Sequence, residues 1–163
     1  MPHYKIKSTL PSETVRTLKL TMLKSVMDDK LIQTLIIDPY FGIYTRNGLE
    51  YILSQNDVDI NIYLVDFNDV RGMNKSLGYR KVNDIFKTTF EKLKEDFIIG
   101  RAFSGDEIFF CTENNINIEK VISVCESHGL GMIYVKGTYQ SKDDIRIVLD
   151  NLLDKLHDES KIK

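Results

Sequence analysis

Arg101-Ala-Phe-Ser104-Gly105-Asp106-Glu107-Ile108-Phe-Phe110 sets a Ser-Gly-Asp-Glu break between two β-type runs. So short a break, with glycine and aspartate in it, suits a tight hairpin. Upstream, Asn61-Ile-Tyr-Leu-Val-Asp66-Phe-Asn68 is another apolar run that delivers a carboxylate to its end. Two strands that carry acids to the same edge of a sheet make a site for a hard divalent cation. Magnesium is commonly held by one or two carboxylates and fills its remaining positions with water and substrate phosphates. Such a site usually works on phosphates.

The surrounding pattern supplies the sheet. Pro11-Ser12-Glu13 opens a helix over 12–35 that Ser12 can cap, with Val15, Leu18, Met22 and Val26 at helical spacing. Asp38-Pro39-Tyr-Phe-Gly42 reads as a turn, because proline fixes its own φ and steers the preceding residue away from helix. A short helix over 45–54 and a strand over 60–67 follow. Residues 72–78 read as irregular, and 79–94 as a helix with Val82, Ile85, Phe86, Phe90 and Leu93 on one face. The hairpin strands are expected over 97–103 and 108–112, a helix over 118–127, a strand over 130–135 and a last helix over 143–157. The order β-α-β-β-α-β fits an α+β fold, a ferredoxin-like palm whose antiparallel sheet carries its helices on one face. In it the first strand and the hairpin lie side by side, and Asp66 can meet Asp106 at the sheet edge.

Composition narrows the function. The chain has 163 residues, enough for one domain with a full core. Its 22 Lys and Arg against 24 Asp and Glu argue against non-specific nucleic-acid binding, which needs a basic surface. No apolar run reaches membrane-spanning length, and Met1-Pro-His-Tyr-Lys-Ile-Lys-Ser lacks the apolar core of a signal peptide. Cys111 and Cys125 lack metal-ligand spacing and read as buried thiols of a reducing cytoplasm. His3, His128 and His157 form no zinc pattern.

Asp66 and Asp106 suit magnesium, and a backbone carbonyl near Phe67 can add a ligand. Glu107, which alternates with Asp106, can take part in metal binding or help deprotonate an attacking hydroxyl. The same four residues also suit a solvated hairpin turn with no chemistry, since Asp and Gly favour turns for conformational reasons alone.

Three ordered motifs together resemble the GGDEF family, the diguanylate cyclases. The family's Asp-x-Leu-Thr-Gly-Leu-x-Asn-Arg has its counterpart in Asp38-Pro-Tyr-Phe-Gly42-Ile-Tyr-Thr-Arg46, which keeps the Asp, Gly and Arg. Its Asp-x-Asp-x-Phe-Lys-x-Ile-Asn-Asp segment is matched without a gap by Asp66-Phe-Asn68-Asp-Val70-Arg71-Gly-Met73-Asn74-Lys75, continuing to Asn83. The hallmark Gly-Gly-Asp-Glu-Phe stands as Ser104-Gly105-Asp106-Glu107-Ile108. The resemblance covers residues 35–157. It implies an N-terminal helical extension over 1–35 and a GGDEF-like domain over 36–163.

The resemblance also implies roles. Asp66, Asp106 and the carbonyl of Phe67 would hold magnesium or manganese, and Glu107 is the acid required for catalysis. Arg71 stands for a lysine that neutralises phosphate, although its planar fork differs. Asn74 and Asn83 would face the base, with Ser104 and Gly105 close to phosphate. The implied activity is a nucleotidyltransferase that condenses two nucleoside triphosphates, GTP or with relaxed base choice, into a cyclic dinucleotide such as cyclic di-GMP. Each domain holds one nucleotide, so catalysis requires a homodimer. Family members commonly carry a sensor domain; here only the helix over 12–35 is left over, to pack on the domain or pair with a second copy.

Several positions depart from the pattern. Asn83 replaces an aspartate that accepts from guanine, and an amide both accepts and donates. Asn68 replaces the second Asp of Asp-x-Asp, Ser104 the first hallmark glycine and Tyr79 a histidine. His157 and Lys161 fall where the family has cations that grip the triphosphate, a poor match with Lys155 nearby. Lys94-Glu-Asp-Phe-Ile-Ile lacks the inhibitory Arg-x-x-Asp. The alternative to a cyclase is therefore an inactive GGDEF-like domain that serves as a nucleotide-binding or protein-interaction module.

Overall fold

The computed structural model describes residues 35–103 and 106–161. The helix expected over 12–35, and Ser104 and Gly105 of the hairpin tip, lie outside the described residues, as does the Lys161 side chain. Four strands, β1 Ile60–Phe67, β2 Ile98–Arg101, β3 Glu107–Thr112 and β4 Met132–Tyr139, form one sheet in the order β2-β3-β1-β4. Every neighbouring pair is antiparallel. The helices are α1 Arg46–Ser54, α2 Val70–Leu77, α3 Tyr79–Leu93, α4 Ile118–Ser127 and α5 Ile145–Lys161. The fold is α+β with the palm-like strand order expected from sequence.

The helices cover both faces of the sheet, not one. Strand side chains alternate between faces, and β1 is apolar on both. Tyr63, Val65 and Phe67 join Val82, Phe86 and Phe90 of α3 and Val121 and Cys125 of α4 in one buried cluster. Ile60, Ile62 and Leu64 join Leu49 and Leu53 of α1 and Leu149, Leu152, Leu153 and Leu156 of α5 in the other. A strand with helices on both sides must be apolar throughout, and five of these β1 residues are buried together with Ile60.

Four elements differ from expectation, the first being β2, which spans only Ile98–Arg101 where 97–103 was expected. Residues 70–77 are helical, not irregular, and the chain breaks only at Gly78, whose φ of 86° is left-handed and open to glycine at little cost. β4 starts and ends later than 130–135, because its polar second half, Lys136, Gly137 and Thr138, still pairs with β1 while its edge position leaves one face to solvent. The last helix begins at Ile145, after an Asp143 carboxylate has accepted the Gln140 N–H at 2.9 Å in the preceding turn. The strand over 60–67 and the helix over 118–127 fall at their expected bounds. No helix among the described residues is long and apolar enough to cross a membrane.

The Asp38 turn is tied to the sheet. Its Oδ1 accepts the N–H groups of Tyr40 and Phe41 at 2.9 and 3.0 Å, and its Oδ2 accepts from Arg101 Nη1 at 2.7 Å. The Arg101 guanidinium also lies 4.6 Å from the Phe41 ring centre. Thr45 caps α1 by accepting the Gly48 N–H at 3.1 Å. Arg46 then joins α1 to α5, pairing with Glu50 at 3.1 Å and with Asp150 at 2.8 Å.

Gly100 of β2 lies against the fully buried Leu49 of α1; a Cβ there would meet Leu49 Cβ and Cδ2 at 2.8 Å. Gly100→Ala should therefore overpack this layer and cost about 1–3 kcal/mol, read as a lower denaturation midpoint at unchanged slope.

Candidate active site at the ends of β1 and β3

β1 and β3 are the two inner strands, so the acids meet at strand ends and not at an edge of the sheet. Asp66 is the cross-strand partner of Glu107, which places both on the same face. The next N–H, that of Phe67, donates to the Asp106 carbonyl at 3.3 Å. The Ala102 N–H donates to the Glu107 carbonyl at 3.0 Å and closes the base of the hairpin. Four of the expected residues, Asp66, Phe67, Asp106 and Glu107, thus come together at one end of the sheet.

The carboxyl groups of Asp66 and Asp106 are both held above the ordinary value of 3.8. Burial is the main cause for Asp66, followed by the negative charges of Glu107 and Asp106; His157 acts in the opposite sense. Burial also dominates for Asp106, opposed by Arg101 and reinforced by Glu107. Half-buried acids that repel one another are relieved by a bound cation. Among the described residues no three acid, histidine or cysteine side chains close around one point. Two carboxylates with a nearby carbonyl still fit magnesium or manganese, which is seldom caged by protein alone. Oxygen donors suit these ions better than they suit zinc.

The other expected residues sit on the two helices that follow β1. Asp69, at φ 52°, turns the chain sharply into α2. Gly72 makes room for this turn, since a Cβ there would lie 2.4 Å from the Asp69 carboxylate. Arg71 is exposed in the first turn of α2. Asn74 on α2 and Asn83 on α3 are half-buried, on helices that pack against each other. The Asn74 Oδ1 is buried with no hydrogen-bond partner among the described residues. A buried acceptor without a donor is costly in the free protein, which fits a position that a ligand donor completes.

Sequence reading undervalued two residues. His157 of α5 lies with Nε2 2.6 Å from Glu107 Oε1, so it sits on the acids. It flanks the apolar stripe of α5, directly after Leu156 and one helical turn beyond Leu153, and that periodicity already points it toward the sheet. Arg101 anchors the Asp38 turn and lies within electrostatic reach of Asp106. Lys155 is directed elsewhere, donating to the Lys136 carbonyl of β4 at 3.3 Å. Both cysteines are buried, and burial pushes both thiols up.

A carboxyl group raised in the folded state stabilises the fold fully below 3.8, and that contribution is lost as pH rises through the raised value. At neutral pH and without divalent ions, Asp66→Asn should therefore melt at or above the wild-type temperature, because it removes a repelled charge. The advantage should shrink as pH falls toward the ordinary carboxylate range. Thermal melts in a chelator across this pH series check it, and a variant that melts lower at every pH would contradict it.

No protein-family profile matches the chain, and no curated protein is similar to it in sequence. Solved structures are similar in fold. A microbial GGDEF domain studied for its interaction with cyclic di-GMP superposes with a TM-score of 0.65 at 14% identity, over 75% of this chain and 88% of that one. The coiled coil and GGDEF domain of DgcB from Caulobacter crescentus, in complex with c-di-GMP, gives 0.59 at 8% identity, over 91% and 92%. The diguanylate cyclase SiaD from Pseudomonas aeruginosa, in complex with its activator SiaC, gives 0.58 at 13% identity, over 91% and 68%. With the strand order and the Asp66–Glu107 register, these likenesses give the chain the fold of a GGDEF domain.

Proposed function

We propose that the chain is a nucleotidyltransferase that joins two nucleoside triphosphates into a cyclic dinucleotide, with GTP the favoured substrate. The observation that carries this reading is the convergence of Asp66, Asp106 and Glu107 at the ends of two paired strands. They stand there on a fold whose solved examples include GGDEF domains in complex with cyclic di-GMP.

Asp66, Asp106 and the Phe67 carbonyl would hold magnesium or manganese. Ions held there would supply Lewis acidity that stabilises negative charge on the α-phosphate and on the attacking oxygen. Arg71 offers its guanidinium to the phosphates. Glu107 accepts the proton of the ribose 3′-hydroxyl; that oxygen then bonds to the α-phosphorus as the bond to pyrophosphate breaks. Asn74 and Asn83 would border the base, and Gly105 and Ser104, outside the described residues, are assigned to the phosphates by the resemblance alone. A second copy of the domain supplies the second nucleotide, so the active species is a homodimer. A cytoplasmic location follows from such a substrate, which is abundant there.

A second reading, a domain that binds nucleotide without turnover, is favoured by Asn83, whose amide replaces a base-reading carboxylate, and by the engagement of His157 with Glu107. Incubation with GTP, ATP or both, with magnesium or manganese, should yield a cyclic dinucleotide detectable by mass spectrometry. Asp66→Ala and Asp106→Ala should each lower the rate by at least about 100-fold. No product under any of these conditions, alongside a nucleotide-dependent rise in melting temperature that needs both acids, would establish the second reading instead.

A further inference from the structure

We infer that His157 is a positioning residue for Glu107: the C-terminal helix delivers an imidazole N–H that fixes one oxygen of this carboxylate and leaves the other to the substrate hydroxyl. The inference rests on the cyclase reading above and deepens it.

The contact is short and its sense is set by its partner. Glu107 Oε1 is an acceptor, so the His157 Nε2, 2.6 Å away, carries the hydrogen. A Glu107 without this donor would face the Asp66 carboxylate across the β1–β3 pair, where like charges opposite one another repel. The side chain would then swing toward solvent, and its two oxygens would exchange freely. Held by the imidazole, Oε1 stays put and Oε2 keeps one direction.

The holding arm is rigid. Leu149, Leu152, Leu153 and Leu156 of α5 are at most 7% exposed against the sheet. Asp150 of the same helix pairs with the buried Arg46 of α1 at 2.8 Å. A group mounted on so packed an element is placed far more closely than one on a loop. Glu107 itself is only 21% exposed, whereas His157 is 53% exposed. The imidazole therefore reaches inward from the rim.

This engagement separates two roles that α5 can have. A cation that grips the triphosphate must turn toward the phosphates, and it would act on substrate affinity. A donor that holds Glu107 acts on the proton acceptor, and so on turnover. The geometry points to the second role.

The experiment uses the full chain with the nucleotide and metal that give product for the wild type. His157→Leu should lower kcat about 10- to 100-fold with KM within about three-fold, because a small displacement of a reacting group costs rate and not binding. His157→Gln keeps an N–H donor without charge and should recover kcat to within about five-fold of wild type. His157→Lys places a fixed cation there and should not match Gln. A loss expressed mainly in KM, or recovery by Lys and not by Gln, would overturn the inference in favour of a phosphate contact. Melting temperatures identify any variant that fails to fold. Long-range proton–nitrogen spectra of the imidazole give a readout free of turnover. The His157 Nε2–H signal should shift in Glu107→Gln and persist when magnesium and a non-hydrolysable triphosphate are added. Loss of the signal on that addition would also overturn it. A wild type that makes no product with any nucleotide and metal overturns the cyclase reading, and the spectra then decide the His157–Glu107 contact by themselves.

Discussion

The constraint on which the structure turns is the placing of a carboxylate at the end of a strand buried on both faces. β1 is walled by α3 and α4 on one side and by α1 and α5 on the other. Asp66 is thereby drawn half out of water beside Glu107 and Asp106. Removing charges from water and then bringing like charges together is unfavourable twice over. A fold tolerates such an arrangement where apolar burial elsewhere outweighs it and where a ligand of opposite charge relieves it. The buried apolar side chains of the two clusters provide the first. Asp66, Asp106 and the Phe67 carbonyl at the end of β1 offer oxygen donors that fit the second.

Much of this was legible in local pattern. The run Ile60 to Phe67 holds no glycine or proline and carries Asp66 next to its end, so its strand bounds follow from sequence. Its continuous apolar character also signals helices on both faces, a reading that the β-α-β-β-α-β order alone does not give. The helix over 70–77 was hidden by Gly72 inside it and Gly78 at its end, although Val70, Met73 and Leu77 fall at helical spacing. It forms where the chain must leave β1, pivot at Asp69 and return over the sheet. Propensity is weak beside such a tertiary demand. The second half of β4 was missed for a related reason: an edge strand can carry Lys136 and Thr138 on its solvent side and still pair fully.

The site divides along the same line. Asp106 and Glu107 are adjacent in sequence, and their hairpin brings them to Asp66 through a register that alternation predicts. His157 meets Glu107 only because α5 crosses the sheet at one angle, and nothing local to either residue encodes that angle. Arg101 reaches Asp38 in the same way, from the end of β2 to a turn far back in the chain. The Asp38 turn is thus more than a bend. It takes two backbone N–H groups on one oxygen and a guanidinium on the other, and so sets Phe41 against Phe86 and fixes the base of the acid-bearing hairpin.

Charge arithmetic links the departures to one another. Asn68 and Asn83 each stand where the resembled family has a carboxylate, so these positions carry two fewer negative charges. A site with fewer carboxylates needs fewer cations to hold a polyphosphate, and the imidazole of α5 is engaged by Glu107 instead. Arg71 then stands at the start of α2, where backbone N–H groups of the first turn add a partial positive field. On the proposed cyclase reading, the missing acids and the engagement of His157 by Glu107 act in the same direction: they would leave phosphate recognition to the β1–α2 corner and α5 to hold the acid proposed to accept the proton.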